Sequence, residues 1–399
     1  MMTTARFPSL RVKQGCKLIG TALILAGTMS ASLAFAGPRE QAKRIHDRLV
    51  GVPPSTAVLD SMAAKVQGGD AIGAAMEAMQ NPAFYNTTLR EFATPWFNRE
   101  QSVYEDLNDS IATVIGMIRD NVPFDQVLYE DIVYVGSAGA TSVPYSHTDN
   151  AHYVDLQQNR VDLSDPANLT RQTQSALPDA PVGAAESAGV MTTRGFSEAY
   201  LVAGTNRAAL HFTTLNFLCM GMEDFRDVTA WPDRIRQDVT RSPGGDSNIF
   251  LNDCLGCHAG MDGLDGAFAY YDFDEDTQQL VYTSGAVQPK FLNAPDTFPL
   301  GYVTTNDSWI NYWRTGPNAF VGWNGPGSGM GAKSLGMELS NTRQFSVCQV
   351  KKTFEKVCLR TPNGDADNQA VESIANSFEA NNRSMKRVFA ETASYCMGD

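Results

Sequence analysis

Histidine is scarce in this chain, with five in 399 residues, at positions 46, 147, 152, 211 and 258. His147 and His152 do not fall on one helical face and no carboxylate cluster completes a metal-ligand set around them, so both read as solvated loop residues. His46 reads as an ordinary surface or satisfied residue. Cysteine is limited to seven, with a single Cys-x-x-Cys pair and no second ligand pair at tight spacing, which excludes a four-ligand zinc site. Positive charge is also short: 31 Lys and Arg stand against 44 Asp and Glu, a net charge of −13, which argues against nucleic acid or anionic lipid as a partner. Asp272, Asp274 and Asp276 alternate like the start of a calcium loop, but the glycine and the closing glutamate that such a loop needs are missing, leaving a solvated turn. No internal repeat is visible. Beyond the first 36 residues no stretch is apolar enough to cross a membrane.

Those first 36 residues carry the signs of export. Arg6, Arg11, Lys13 and Lys17 form a basic segment, residues 18–27 an apolar one, and Ala34-Phe35-Ala36 a small-residue cleavage site. Cleavage after Ala36 is expected, giving a mature protein outside the cytoplasm, in the periplasm or otherwise exported. Cys16 precedes the apolar segment and is not placed as a lipid-bearing cysteine. Since the leader holds four basic and no acidic side chains, the remaining 363 residues carry 27 Lys and Arg against 44 Asp and Glu, a formal charge of −17. With 43% hydrophobic residues there is ample material for a core.

The most informative stretch is Cys254-Leu255-Gly256-Cys257-His258, because Cys-x-x-Cys-His is the spacing at which haem is attached covalently. Two thiols add to two vinyl groups of one macrocycle, and the adjacent imidazole is held close enough to ligate the iron. A redox dithiol does not require the histidine. One haem c, held by Cys254 and Cys257 with His258 as proximal ligand, is therefore the expected cofactor. An exported chain lives in an oxidising compartment, and Cys219, Cys348, Cys358 and Cys396 remain as an even set, enough for two disulfides. Residues 343–360 read as one helix, in which ten residues separate Cα atoms by about 15 Å, against a limit of roughly 7 Å for a disulfide. Cys348 and Cys358 must each pair elsewhere.

Periodicity predicts a mainly α fold. Residues 37–135 form a helical layer, with helices over 39–50, 56–66, 71–79, 86–92 and 103–119 separated by Gly, Pro and Asn breaks, and with Ser55 as a cap. Residues 136–195 dissolve into Ser, Thr, Asn, Asp, Ala and Pro and read as a long irregular loop region. Residues 196–399 form the haem-binding, cytochrome c-like region. It comprises one or two helices over 199–218, the motif, a short β-hairpin from 267–273 and 279–283 across an acidic turn, and a C-terminal helical hairpin from 343–360 and 368–392 around Pro362-Asn363-Gly364-Asp365.

Cys254-Leu255-Gly256-Cys257-His258-Ala259-Gly260-Met261-Asp262 resembles the haem segment of the planctomycete-type cytochrome c proteins, an exported bacterial family, in which a Met-Asp or Ile-Asp pair follows the histidine at this spacing. Gly263 stands where the family has proline, and Gly266, Phe268 and Phe273-Asp274 come slightly late. Phe345-Ser346-Val347-Cys348 is similar to the start of the family's terminal helical region, and Arg360, Pro362 and Asp367 to the turn that divides its two helices. Cys358 and Cys396 fall at positions where the family has other residues. The resemblance covers roughly the last 150 residues and implies an exported, mostly helical haem protein, with no substrate attached.

The second axial position decides between functions. Met261 is only three residues from His258, a span of at most roughly 10 Å, too short to round the macrocycle. Met330 is the expected iron ligand beside His258, because Gly325, Gly327, Gly329 and Gly331 surround it and permit close backbone approach; Met337 and His211 follow. A monohaem electron-transfer protein serving a redox partner protein is expected. The alternative is a haem enzyme acting on a small substrate at an open position. A di-haem peroxidase is excluded by the single attachment motif.

Overall fold

The computed structural model describes residues 36–202 and 204–398. The export signal read over residues 1–36 therefore lies outside the described residues except for Ala36. The mainly α expectation holds: among the described residues the helices are accompanied by only three small two-stranded antiparallel sheets.

The N-terminal layer starts with α1 (Pro38–Val50), opened by proline in its first turn and closed by Gly51 at φ 75°. Next come α2 (Thr56–Gln67), capped by the Ser55 hydroxyl on the Val58 N–H, and α3 (Ala71–Ala78), capped by Asp70 on the Gly73 N–H. His46 is fully buried in α1, with Nδ1 3.0 Å from the Val52 carbonyl, so it is satisfied. The helix expected over 86–92 is instead a π-helical turn, Phe84–Leu89, running into the single-turn α4 (Arg90–Ala93). The helix expected from 103 begins only at α5 (Asp109–Arg119), because Asn108 accepts the Ile111 N–H and caps it there. Every residue of α5 is buried.

Residues 136–195 are more ordered than their composition suggests. β1 (Val133–Gly136) pairs antiparallel with β2 (Leu169–Gln172), and α6 (Ala151–Gln158) lies between them in the chain. Tyr153, Leu156 and Leu169 enter the same core as the N-terminal helices. His152 corrects its reading as solvated: it is buried, accepts the Gly136 N–H through Nε2 at 2.9 Å, and has Nδ1 2.7 Å from the Val143 carbonyl. Both its nitrogens stitch backbone together, which leaves none for a metal or cofactor.

Then follow α7 (Arg194–Tyr200), α8 (Arg207–Leu218), the short α9 (Ser247–Ile249), a π-helical turn Phe250–Cys254, and α10 (Leu255–Asp265), which carries His258. The predicted hairpin is β3 (Tyr271–Asp274) with β4 (Gln279–Tyr282). A second hairpin-like pair, β5 (Ser308–Ile310) with β6 (Ser328–Met330), was not read from the sequence. The chain closes with α11 (Gly331–Ser340), α12 (Arg343–Cys358), α13 (Gly364–Ala380) and α14 (Met385–Tyr395). The helix expected over 368–392 is thus two, divided where Asn382 and Arg383 adopt positive φ and Ser384 caps α14.

Two disulfides join these elements, Cys219–Cys348 from the end of α8 to the middle of α12, and Cys358–Cys396 from the end of α12 to the end of α14. The exclusion of a Cys348–Cys358 bond on one helix is borne out. Among the described residues no helix is long and apolar enough to cross a membrane.

Candidate functional site

The motif lies at a helix start. The π-helical turn delivers Cys254 to the N-cap of α10, where it is half-buried against a small cluster that includes Phe250, Ile235 and Ala259. Cys257, one turn on, is also half-buried, and its Sγ lies 3.4 Å from the Met222 carbonyl. Burial, helped by nearby Glu223, pushes its thiol upward, so it rests protonated at neutral pH. Neither thiol is in a disulfide, whereas the other four described cysteines are all paired.

α10 has two unlike faces. Gly260, Gly263 and Gly266 form one: a Cβ on Gly263 would stand 2.9 Å from the Ile310 carbonyl oxygen, one on Gly266 2.5 Å from that of Ser308, and one on Gly260 would collide with the Trp313 indole. These glycines let β5 and the fully buried Trp313 rest directly on the helix. Gly260→Ala should therefore destabilise the fold by about 1–3 kcal/mol. Gly256→Ala, whose new methyl meets mainly the flexible Arg226 and Val228 side chains, should cost less. Chemical denaturation of the two variants side by side checks this.

The other face carries charge. His258 Nδ1 is 3.1 Å from Asp262 Oδ1, one turn along the same helix. The Asp262 side chain has no solvent exposure, and its oxygens also accept Arg207 Nε at 2.7 Å, Arg207 Nη2 at 3.0 Å and the Arg236 N–H at 3.1 Å. Arg207 reaches in addition to both oxygens of Asp238, at 2.8 and 3.0 Å, while Arg236 pairs with Asp265 at 2.7 Å. Burial alone would raise the Asp262 carboxyl, but Arg207, His258 and Arg236 hold it well below the ordinary carboxylate range. For Asp265 burial wins over Arg236 and Arg207, and its carboxyl is pushed up to about 6. Among the described residues no hydrogen-bond partner stands at His258 Nε2.

A cavity of about 450 Å³ meets α10 at Leu255, which stands between the two cysteines in sequence, and is lined by Ile235, Phe250, Leu251, Leu255, Phe298 and Tyr302 among others. That volume is ordinary for a small-molecule or cofactor site. Leu251 is half exposed and Leu300 almost fully exposed at its edge. Arg241 borders it, stacked on Phe298 at 4.1 Å and Phe250 at 5.1 Å, and donates to the backbone carbonyls of Ile235 and Val239. Burial lowers its pKa, and among the described residues it has no carboxylate within ion-pair distance.

One expectation is corrected here. The metal-binding centre that the haem reading would add is not built from side chains alone: among the described residues no group of three or more His, Cys, Asp and Glu side chains is placed to hold a metal ion. The carboxylates nearest His258 are occupied by Arg207 and Arg236. Met330, the expected second iron ligand, stands on a different element from His258. Met330 lies on β6, 56% exposed, in the strand pair that packs against the glycine face of α10, whereas His258 turns toward Asp262. Its glycines serve other contacts: Gly331 has φ 70°, and Gly325 and Gly329 allow the chain to pass close to Glu338 and Ser334. Met261 is buried in the core and Met337 is half-buried on α11. His211, on α8, lies near Gly221 in the same Gly221–Glu223 turn whose Met222 carbonyl contacts Cys257. Arg207, Arg236 and Asp238 escaped the sequence reading because their partners are distant in sequence and no local spacing signals them.

The chain matches no protein-family model, no curated protein and no solved structure.

Proposed function

We propose that this chain is an exported c-type haem protein, a relative of the planctomycete-type cytochromes that its motif segment resembles, and that it passes single electrons to or from a redox partner protein. The observation that carries this is the state of the cysteines: of the six described, four are paired in disulfides and only Cys254 and Cys257, directly before His258, keep free thiols. Each thiol would add across one vinyl group, sulfur to one carbon and hydrogen to the other, a step that consumes no oxidant. Haem brings four nitrogen ligands of its own, so the chain is asked for two thioether bonds and the His258 imidazole, not for a metal centre. The group's contribution when bound is reversible one-electron chemistry.

The surroundings fit such a group. The cavity at Leu255 offers an apolar wall, and Arg241, half-buried without a carboxylate partner among the described residues, suits the acidic edge of a macrocycle. His258 is oriented by Asp262, leaving Nε2 free. The two disulfides support a periplasmic or other oxidising location for the mature chain. Its acidic balance suits a basic partner.

A second reading, a haem enzyme acting on a small substrate at an open axial position, is favoured by the exposure of Met330 on β6. Spectroelectrochemical titration of the purified, exported protein separates the readings. The carrier should show one reversible one-electron wave and no steady consumption of peroxide or oxygen. Sustained turnover of either would replace the carrier by the enzyme, and absence of any haem spectrum would end both.

A further inference from the structure

The contact between His258 and Asp262 is more than a helix neighbour pair. An imidazole that ligates through one nitrogen usually donates its other N–H to a carbonyl, a water or a carboxylate, and the choice sets its strength as a donor. Here the partner is a carboxylate with no exposure to solvent, which water does not screen. Arg207 neutralises it only in part, since that guanidinium is divided between Asp262 and both oxygens of Asp238. Two carboxylates thus lean on one side chain, with His258 and the Arg236 N–H as the remaining donors to Asp262.

Resting on the haem reading above, we propose that Asp262 is a positioning residue for His258. It fixes the ring through Nδ1, turns Nε2 outward, and gives the imidazole anionic character that favours the oxidised iron, while Arg207 sets how much of the Asp262 charge the ring receives. The consequence is a centre of low potential, opposite in direction to that expected from a thioether ligand such as Met330.

The network makes two changes that should act in opposite senses. Asp262→Asn removes the charge facing His258, so the potential should rise by about 59 mV or more, a tenfold change in the oxidised-to-reduced ratio for one electron. Arg207→Gln removes the guanidinium that shares the Asp262 charge and leaves His258 with only the Arg236 N–H beside it, so the potential should fall. Both variants lose stability because each strands a buried partner, but loss of stability does not produce shifts of opposite sign. The experiment is a potentiometric titration of the full exported protein and the two variants, with the ferric electron paramagnetic resonance g-values read in parallel as a measure of imidazole donor strength. If one variant fails to accumulate, the other still gives its signed shift. Unchanged potentials and g-values, or shifts in the same direction, overturn this proposal while covalently bound haem in the same samples leaves the function standing. A wild-type protein that carries no covalent haem overturns both.

Discussion

Replacing Cys254 and Cys257 together by alanine should yield a protein with no haem band after denaturing electrophoresis, whereas the parent keeps its colour. The reason is geometric. These are the only described cysteines outside disulfides, and both stand on the first turn of α10 next to His258. Each single variant should retain haem through one remaining thioether, with the reduced absorption band moved to longer wavelength by the surviving vinyl group. His258→Ala should keep the thioethers but lose the imidazole's spectrum. The double variant should still form both disulfides, Cys219–Cys348 and Cys358–Cys396, and should melt lower because a ligand bound only to the folded state contributes stability by mass action. Haem that survives denaturation in the double variant would mean that attachment occurs somewhere else.

Removing either disulfide should produce the largest change in folding stability. In the loop-closure account the cost grows with the length of chain enclosed, and the separations of 129 residues for Cys219–Cys348 and 38 for Cys358–Cys396 correspond to about 5 and about 4 kcal/mol. The first bond is placed to matter most. Cys219 sits at the C-cap of α8 with φ 54°, a left-handed conformation, and Cys348 is wholly buried inside α12, so the bridge fastens the helix that ends before the Gly221–Glu223 turn to the C-terminal bundle. The turn it anchors is the one that touches Cys257. Urea denaturation of Cys219→Ser with Cys348→Ser, and of the other pair, measures both effects. Peptide mapping without reduction should recover the two bonds as assigned, and four alkylated thiols in place of them would contradict the fold at its C-terminal half.

Much of this molecule is legible where the signal is local. Gly51 and the prolines after it end α1, Ser55 declares the start of α2, and the alternation around 271–282 with an acidic turn between gives the β3–β4 hairpin. Helix arithmetic alone excludes a bond between Cys348 and Cys358. What could not be read depends on partners far away in the chain. His152 reads as a loop residue until Gly136 and Val143 close on it, and the close approach of Glu338 and Ser334 to Gly325 and Gly329 leaves no mark in the sequence around Met330. The break at residues 381–384 hides because Asn and Arg in left-handed conformation leave little trace beside the long apolar rhythm of α13 and α14. In the candidate site the motif itself was legible, but the charge beneath it was not, since Arg207 lies 55 residues from Asp262 and pairs with it only in the folded chain.

The measurement that bears most directly on the account is mass spectrometry of the peptide spanning residues 254–258, taken from protein exported in a host able to mature c-type haem. A single peptide carrying one haem on both Cys254 and Cys257 is the predicted result. Two free, alkylatable thiols, or a Cys254 to Cys257 disulfide, would contradict it.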